Sequence, residues 1–326
     1  MRRREFITLV GGAAAGWPLA ARAQQPERLV RIGYLAIAPV TQAQSDDTAF
    51  REALRDLGYV EGKNLQIEYR TAAGDESRVP VLAKELADLN VDVIVTQANG
   101  VVAAVHATSK IPIVMAVGPD LVGLGFAASL AHPGGNVTGS TFFVSEVMAK
   151  RLELLKELAP TITRVGVLLV RREDKANSQY LELIRATAGT LKLELQPIEV
   201  RGVSDFEEAF STWGRDQAGG CVIGDHAMLT YNTGAIATLA ANQRLPSVGQ
   251  LQLPTNGGLI GYGVNFSDFF RRAAYFVDQI LKGTRPGDIP IEQATKFKTI
   301  VNLRTAKALG IDVPTSILLR ADEVIE

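Results

Sequence analysis

The chain is nearly devoid of cysteine: a single thiol, Cys221, stands among 326 residues. One cysteine forms no internal disulfide, so the fold has to hold together by burial alone. Its setting, GGCVIGD at 219–225, is an apolar run, which makes Cys221 a buried strand residue and not a nucleophile. Histidine is scarce as well. His106, His132 and His226 lie far apart, with no H-E-x-x-H or Cys/His spacing, so no metal site is expected, and His106 and His132 read as surface or loop residues. There is no G-x-S-x-G elbow and no Walker A loop, and nothing nominates a nucleophile with its base; no enzyme and no cofactor is expected. Net charge is missing too. Basic residues number 34 against 35 acidic, and no long basic run occurs past residue 30, which removes the electrostatic footprint of a nucleic-acid binder.

Long apolar runs are also absent. The best is Phe6 to Ala15, and a membrane-spanning helix takes about 20 residues. It lies inside MRRREFITLVGGAAAGWPLAARAQQ, where arginines, a short apolar stretch and Ala21-Arg22-Ala23 follow one another as in a secretory signal. Arg3-Arg4-Glu5-Phe6-Ile7 resembles the R-R-x-F-L core of twin-arginine signals, so export in the folded state is open beside the ordinary route. Cleavage after residue 23 leaves 30 basic and 34 acidic side chains, and with no cysteine at that position a lipid anchor is not expected. The expected location is periplasmic.

What is present is a repeated grammar. From Arg31 to Val117, short β-rich runs alternate with helical patterns: RIGYLAI, NLQIEYR, VDVIVT and IPIVMAV are strands. Between them, DDTAFREALRDLGY puts Phe50, Ala53, Leu54 and Leu57 on one helix face, with Asp46 or Asp47 as N-cap, and SRVPVLAKELADLN does the same with Val79, Leu82, Leu86 and Leu89. At Arg164 the pattern starts again with RVGVLLV. A helix with Leu181, Ile184 and Ala188 inward follows, then KLELQPIEV, then a helix opened by a Ser204/Glu207 capping box that buries Phe206, Ala209, Phe210 and Trp213. Arg31-Ile-Gly-Tyr-Leu faces Arg164-Val-Gly-Val-Leu at an offset of 133, and Lys110-Ile-Pro-Ile-Val faces Arg244-Leu-Pro-Ser-Val at 134. An offset that drifts by one across about 80 residues marks a repeated lobe.

The fold class is therefore α/β: two similar doubly wound parallel-sheet lobes joined by a multi-strand hinge. The expected boundaries are 1–23 for the signal, 29–140 plus 264–295 for lobe 1, and 141–263 plus 296–326 for lobe 2. The chain crosses near Gly135–Phe143, Gly258–Val264 and Lys296–Val301. Ligands meet the carboxyl ends of parallel strands, so two such edges turned toward each other make a cleft. The Gly123-x-Gly125-x-x-Ala128 string does not turn that cleft into a dinucleotide site. It follows the fourth strand of its lobe and not the first, Pro119 and Asp120 intervene, and Glu146 at the right distance starts a helix.

Four strings carry a family resemblance: GYVEGKNLQIEYR, VMAVGPDLVGLGFAASLAHPGGNVTGST, ATKFKTIVNLRTAKALGIDVP and the tail SILLRADEVIE. In this order they resemble the periplasmic ABC-transporter substrate-binding proteins of the tryptophan/tyrosine type, which have the type I periplasmic binding fold, over Leu29 to Glu326. The resemblance implies a small solute held between closing lobes and delivered to an ABC permease in the inner membrane. It places Thr96, Gln97 and Ala98 where a hydroxyl and helix-start amides hold a carboxylate. Asp120 matches the family's acidic loop residue, although the usual Asp-Pro order is reversed to Pro119-Asp120. From lobe 2 come Asn177, opening its first helix, and Asp225, ending GGCVIGD; Asn265 follows the GYG crossing. With Asp120 and Asp225 facing that helix start, the ligand expected is an amino acid or a related zwitterion, and Phe142 and Phe143 are placed to pack on its apolar side chain. The protein is expected to act as a monomer without nucleic acid. A periplasmic sensing module on the same fold, or an isomerase using facing acids, is the alternative.

Overall fold

A computed structural model describes residues 29–37, 44–142, 144–171 and 176–326. The expected signal and Phe143 lie outside them. The first half runs β1 (Val30–Ala36), α1 (Gln44–Asp56), β2 (Leu65–Thr71), α2 (Val79–Asp88), β3 (Val93–Thr96), α3 (Asn99–Ala107), β4 (Ile113–Gly118) and β5 (Val137–Thr141). The second runs α4 (Val144–Leu158), β6 (Arg164–Val170), α5 (Ala176–Thr190), β7 (Glu194–Val200), α6 (Phe206–Arg215), β8 (Cys221–Ile223), α7 (Ala227–Tyr231), α8 (Thr233–Asn242), β9 (Ser247–Gly249), α9 (Gln252–Thr255) and β10 (Ile260–Gly263). The chain ends with α10 (Phe266–Leu281), β11 (Glu292–Gln293), β12 (Lys298–Asn302), α11 (Leu303–Leu309), α12 (Thr315–Leu318) and β13 (Glu323–Ile325).

These strands form two sheets, ordered β11-β5-β4-β3-β1-β2 and β13-β12-β10-β9-β8-β6-β7. The order β5-β4-β3-β1-β2 repeats as β10-β9-β8-β6-β7, which is the structural form of the 133-residue offset. All pairs are parallel except β10 with β12. β1 and β6 are interior strands, so their apolar runs are covered on both faces. β7 is an edge strand, where Pro197 costs no ladder bond.

Helix faces bury as their spacing dictates. Phe50 and Leu54 of α1, Phe206, Ala209, Phe210 and Trp213 of α6, and Phe270, Ala274 and Val277 of α10 are all sealed, whereas Leu57 is exposed. Trp213 lies so close over β6 that a Cβ on Gly166 would sit 2.4 Å from its ring. Two helix starts, those of α1 and α6, differ from the sequence reading. α1 begins at Gln44, which puts Asp46 and Asp47 inside its first turn. The cap of α10 is Asn265, whose side chain accepts from Ser267 N. The Ser204/Glu207 box does not form: Ser204 sits in a 3-10 turn and α6 has no side-chain cap.

The chain passes between the sheets three times, at 141–144, 263–266 and 293–298. An apolar cluster fills this region, with Val117, Phe142, Val147 and Val264 buried and Phe266, Phe269 and Phe297 packed around them. Phe142 meets Phe266 edge-on at 6.2 Å. Its ring is thus spent on packing within the crossing, in place of the expected contact with a ligand's apolar group.

Candidate functional site

The first turn of α1 and the segments after β2 and β3 in one lobe, with the segment after β8 in the other, bring together side chains that no single lobe assembles. Glu76 lies in the turn before α2 and accepts a hydrogen bond from Asn99 Nδ2 at 2.6 Å. Its other carboxylate oxygen is 3.0 Å from His226 Nε2 of the opposite lobe. His226 caps α7, and its Nδ1 accepts from Met228 N at 3.2 Å. That bond leaves Nδ1 without a proton and assigns the hydrogen to Nε2, where it points at Glu76. At the end of α7, Tyr231 also reaches across. Its phenol interacts with Gln97 and Asp46 and is close enough to Tyr69 to feel it. Burial first, then the Asp46 charge, pushes Tyr231 up to about 12, against the opposing effect of the Gln97 hydrogen bond. Tyr69 is likewise pushed up to about 12 by burial and the Asp47 charge.

The sequence-nominated residues fare unevenly in this geometry. Gln97 faces the other lobe through Tyr231. Thr96 is buried, and its hydroxyl donates to Leu35 O at 2.9 Å, so its proton is spent within the sheet and is not available to a ligand carboxylate. Ala98 also differs from expectation: its N–H donates to Val117 O at 2.9 Å. Its backbone sits at φ 48° and ψ −130°, a strained conformation for a residue with a Cβ. Asp120 is exposed and folds over its own turn, with Oδ1 accepting from Val122 N at 3.0 Å. A Cβ on Gly123 would lie 2.7 Å from the other oxygen, so the glycine is what lets the carboxylate turn back. The reversed Pro-Asp order thus yields a local turn cap.

Asp225 is committed elsewhere as well. Arg151 of α4, 1% exposed, grips both carboxylate oxygens at 2.8 and 2.9 Å and donates further to Ile223 O and Tyr262 O. The charge that was to meet a ligand amine is neutralised by a buried guanidinium that ties α4 to β8 and the β10 crossing. Asn265 accepts from Ser267 N as the cap of α10. Asn177 lies in the first turn of α5, and its side chain is outside the described residues. Among the described residues no cluster of histidine, cysteine and carboxylates has the makings of a metal site, and no helix is long and apolar enough to cross a membrane.

A family model for ABC transporter substrate binding protein matches residues 40–325. The chain belongs to that family. A tyrosine-binding protein from Clostridioides difficile strain R20291 is 26% identical over 290 residues, covering 85% of this chain and 81% of that one. Among solved structures, the ABC domain in complex with L-Trp from Streptococcus pneumonia is similar with a TM-score of 0.82, at 23% identity over 91% of this chain and 99% of that one. The ligand-free, open form of a substrate-binding protein with adhesive properties from Clostridium difficile is similar at 0.67, also at 23% identity over 91% of this chain and 99% of that one.

For an ABC substrate-binding protein, the side chains that sequence reasoning missed are the informative ones. Asp46 and Asp47 read as a helix cap, and Tyr34 and Tyr69 only as parts of the strand strings RIGYLAI and NLQIEYR. His226 and Tyr231 fall in HAMLTY, a stretch with no periodic pattern of its own. The available signal was positional. In a repeated lobe, the segment after β8 corresponds to the segment after β3, which had already been nominated through Gln97.

Proposed function

We propose that the protein is the solute-binding component of an ABC importer, located outside the cytoplasmic membrane, and that it captures a small amino-acid-like solute between its lobes by hinge closure. The observation that carries this reading is the link across the cleft from His226 to Glu76, at the carboxyl edges of both sheets. Links of this kind exist only when the lobes approach, so a ligand that contacts both edges shifts the protein toward the closed arrangement. Two comparisons support the solute class, since one relative carries the name tyrosine-binding protein and one structural neighbour holds L-Trp. The three crossings supply a hinge, with the Phe142 and Phe266 cluster as the packed region that bends. Delivery then requires a permease that reads the closed surface.

The test is a thermal-shift screen of the twenty amino acids and small carboxylates against purified protein. A ligand bound only by the native state raises the melting temperature, by an amount set by about 2.7 kcal/mol when it is present at a hundredfold excess over Kd. At least one amino acid should produce such a shift, and a screen with no response from any of them contradicts the assignment.

A further inference from the structure

The mouths of β1 and β2 hold polar groups that the protein does not use. Tyr34 and Tyr69 are register partners on neighbouring strands, and their rings stack with centroids 5.2 Å apart and planes 10° from parallel. Phe50 of α1 and Phe270 of α10 flank Tyr34, so both phenols lie on the face that α1 covers and aim at its first turn. Tyr34 is 3% exposed, and its phenol is close enough to Asp47 and Tyr69 to feel both. The Tyr69 hydroxyl is sealed from solvent and unpaired. In the first turn of α1, Asp47 gives Oδ2 to Arg51 Nε at 2.9 Å, while its Oδ1 is buried with no partner. Asp46 beside it is buried and accepts a hydrogen bond from Ser267 Oγ. Arg51 does not complete the set, because its other arm is held by Glu61. Tyr231 closes the group from the opposite lobe.

Proteins leave very few buried polar atoms unpaired, and a concentration of them in one place has a cause. Here an unpaired carboxylate oxygen and an unpaired phenol oxygen stand together, with the Tyr231 phenol reaching in from the opposite lobe, and the one guanidinium beside Asp47 is already shared with Glu61. The unmet need is for a cation carrying several hydrogens. We propose that this cluster, and not Asp120 or Asp225, receives the protonated amine of the solute: Asp47 Oδ1 is the ion-pair acceptor, and the Tyr69 and Tyr231 oxygens take the other two N–H bonds. An ammonium has three donors and no acceptor, which is the complement of this set, and the tyrosine faces add attraction for a cation. The inference rests on the reading of the cleft as a solute site and specifies its ligand as a primary amine with an acid at the other end.

Isothermal titration separates the two. Each of the twenty amino acids is titrated, and for every one that binds, its desamino acid is titrated alongside, against wild type, Asp47→Asn and Tyr69→Phe. Wild type should bind the desamino acid at least about thirtyfold more weakly, as expected for loss of a buried charged hydrogen bond. Asp47→Asn, which keeps an acceptor for Arg51, should weaken the amino acid by a similar factor while changing the desamino acid less than about threefold. Tyr69→Phe removes only an unpaired hydroxyl, so it should leave the ligand-free melting temperature undiminished and weaken the amino acid about five- to tenfold. A desamino acid that binds wild type as tightly as its parent, or an Asp47→Asn protein that loses both alike, overturns the amine assignment and leaves the cleft reading standing. No binding by any amino acid overturns both.

Discussion

Replacing Arg151 with methionine keeps the length and much of the volume of the side chain and removes its charge. The guanidinium is 1% exposed and Asp225 is 9% exposed, so the substitution leaves a carboxylate that has already been taken out of water. It also strips donors from Ile223 O and Tyr262 O. Breaking a buried pair from one side costs about 3–5 kcal/mol, most of it the penalty of the abandoned charge. For domains of this size each kcal/mol lowers the melting temperature by about 2–4 °C, so a fall of roughly 6–20 °C is expected. Asp225→Leu should cost a comparable amount, because it strands the guanidinium instead. The double variant should recover most of the loss, since a buried pair replaced by apolar side chains of similar volume is often neutral. Urea unfolding followed by circular dichroism gives all three values and the coupling between them. If Arg151→Met costs less than about 1 kcal/mol, or if Asp225→Leu leaves stability intact and abolishes solute binding, the strut assignment is wrong and Asp225 returns to the ligand site.

Other consequences are smaller but sharp. The His226 and Glu76 side chains are 18% and 42% exposed, so their link contributes at most about 1 kcal/mol; Glu76→Gln should weaken solute binding by no more than about fivefold and leave the ligand-free melting temperature unchanged. Burial raises the Asp46 carboxyl above its ordinary range, with the Ser267 hydrogen bond opposing. The folded state therefore holds that proton more tightly than the unfolded state, and the associated stability, full below the ordinary aspartate value of about 3.9, is lost as pH rises through the higher folded value. Asp46→Asn should remove this slope and raise ligand-free stability at pH 7. Cys221 is fully buried and pushed up to about 12 by desolvation; iodoacetamide at pH 8 should leave it unmodified in the native protein and alkylate it in denaturant. Gly166→Ala should destabilise by about 1–3 kcal/mol through collision with Trp213, measured by the same unfolding curve.

The repeat was readable because it is written in the periodicity of whole segments. RIGYLAI and RVGVLLV show the same strand in the same place of two lobes, and sheets ordered alike follow from that. The three crossings were readable for the same reason, as strand and helix patterns left over once both lobes were complete. The site was only half legible. Thr96, Asp120 and Asp225 have the right residue types at the right strand ends, but a side chain's partner is set by the fold. Leu35 O took the Thr96 hydroxyl, the Gly123 turn took Asp120, and Arg151, 74 residues away in sequence, took Asp225. Tyr69 was hidden in a strand string with nothing to set it apart, and Tyr231 by a short helix with no amphipathic pattern. What distinguishes them is that their hydroxyls remain unspent or reach the other lobe, a property of coordinates and not of residue type.

The central claim is that solute closes the lobes, and a distance between them tests it. β2 and β7 are the edge strands farthest from the crossings, so labels beyond their ends move most. Val81 and Val203 are exposed near those ends, and the buried thiol of Cys221 does not compete for a label. Spin labels on Val81→Cys/Val203→Cys, read by pulsed electron resonance with and without a binding amino acid, should give a longer, broader distance distribution without ligand and a shorter, narrower one at saturation. A distribution unchanged by a ligand shown to bind in the same sample would contradict the account.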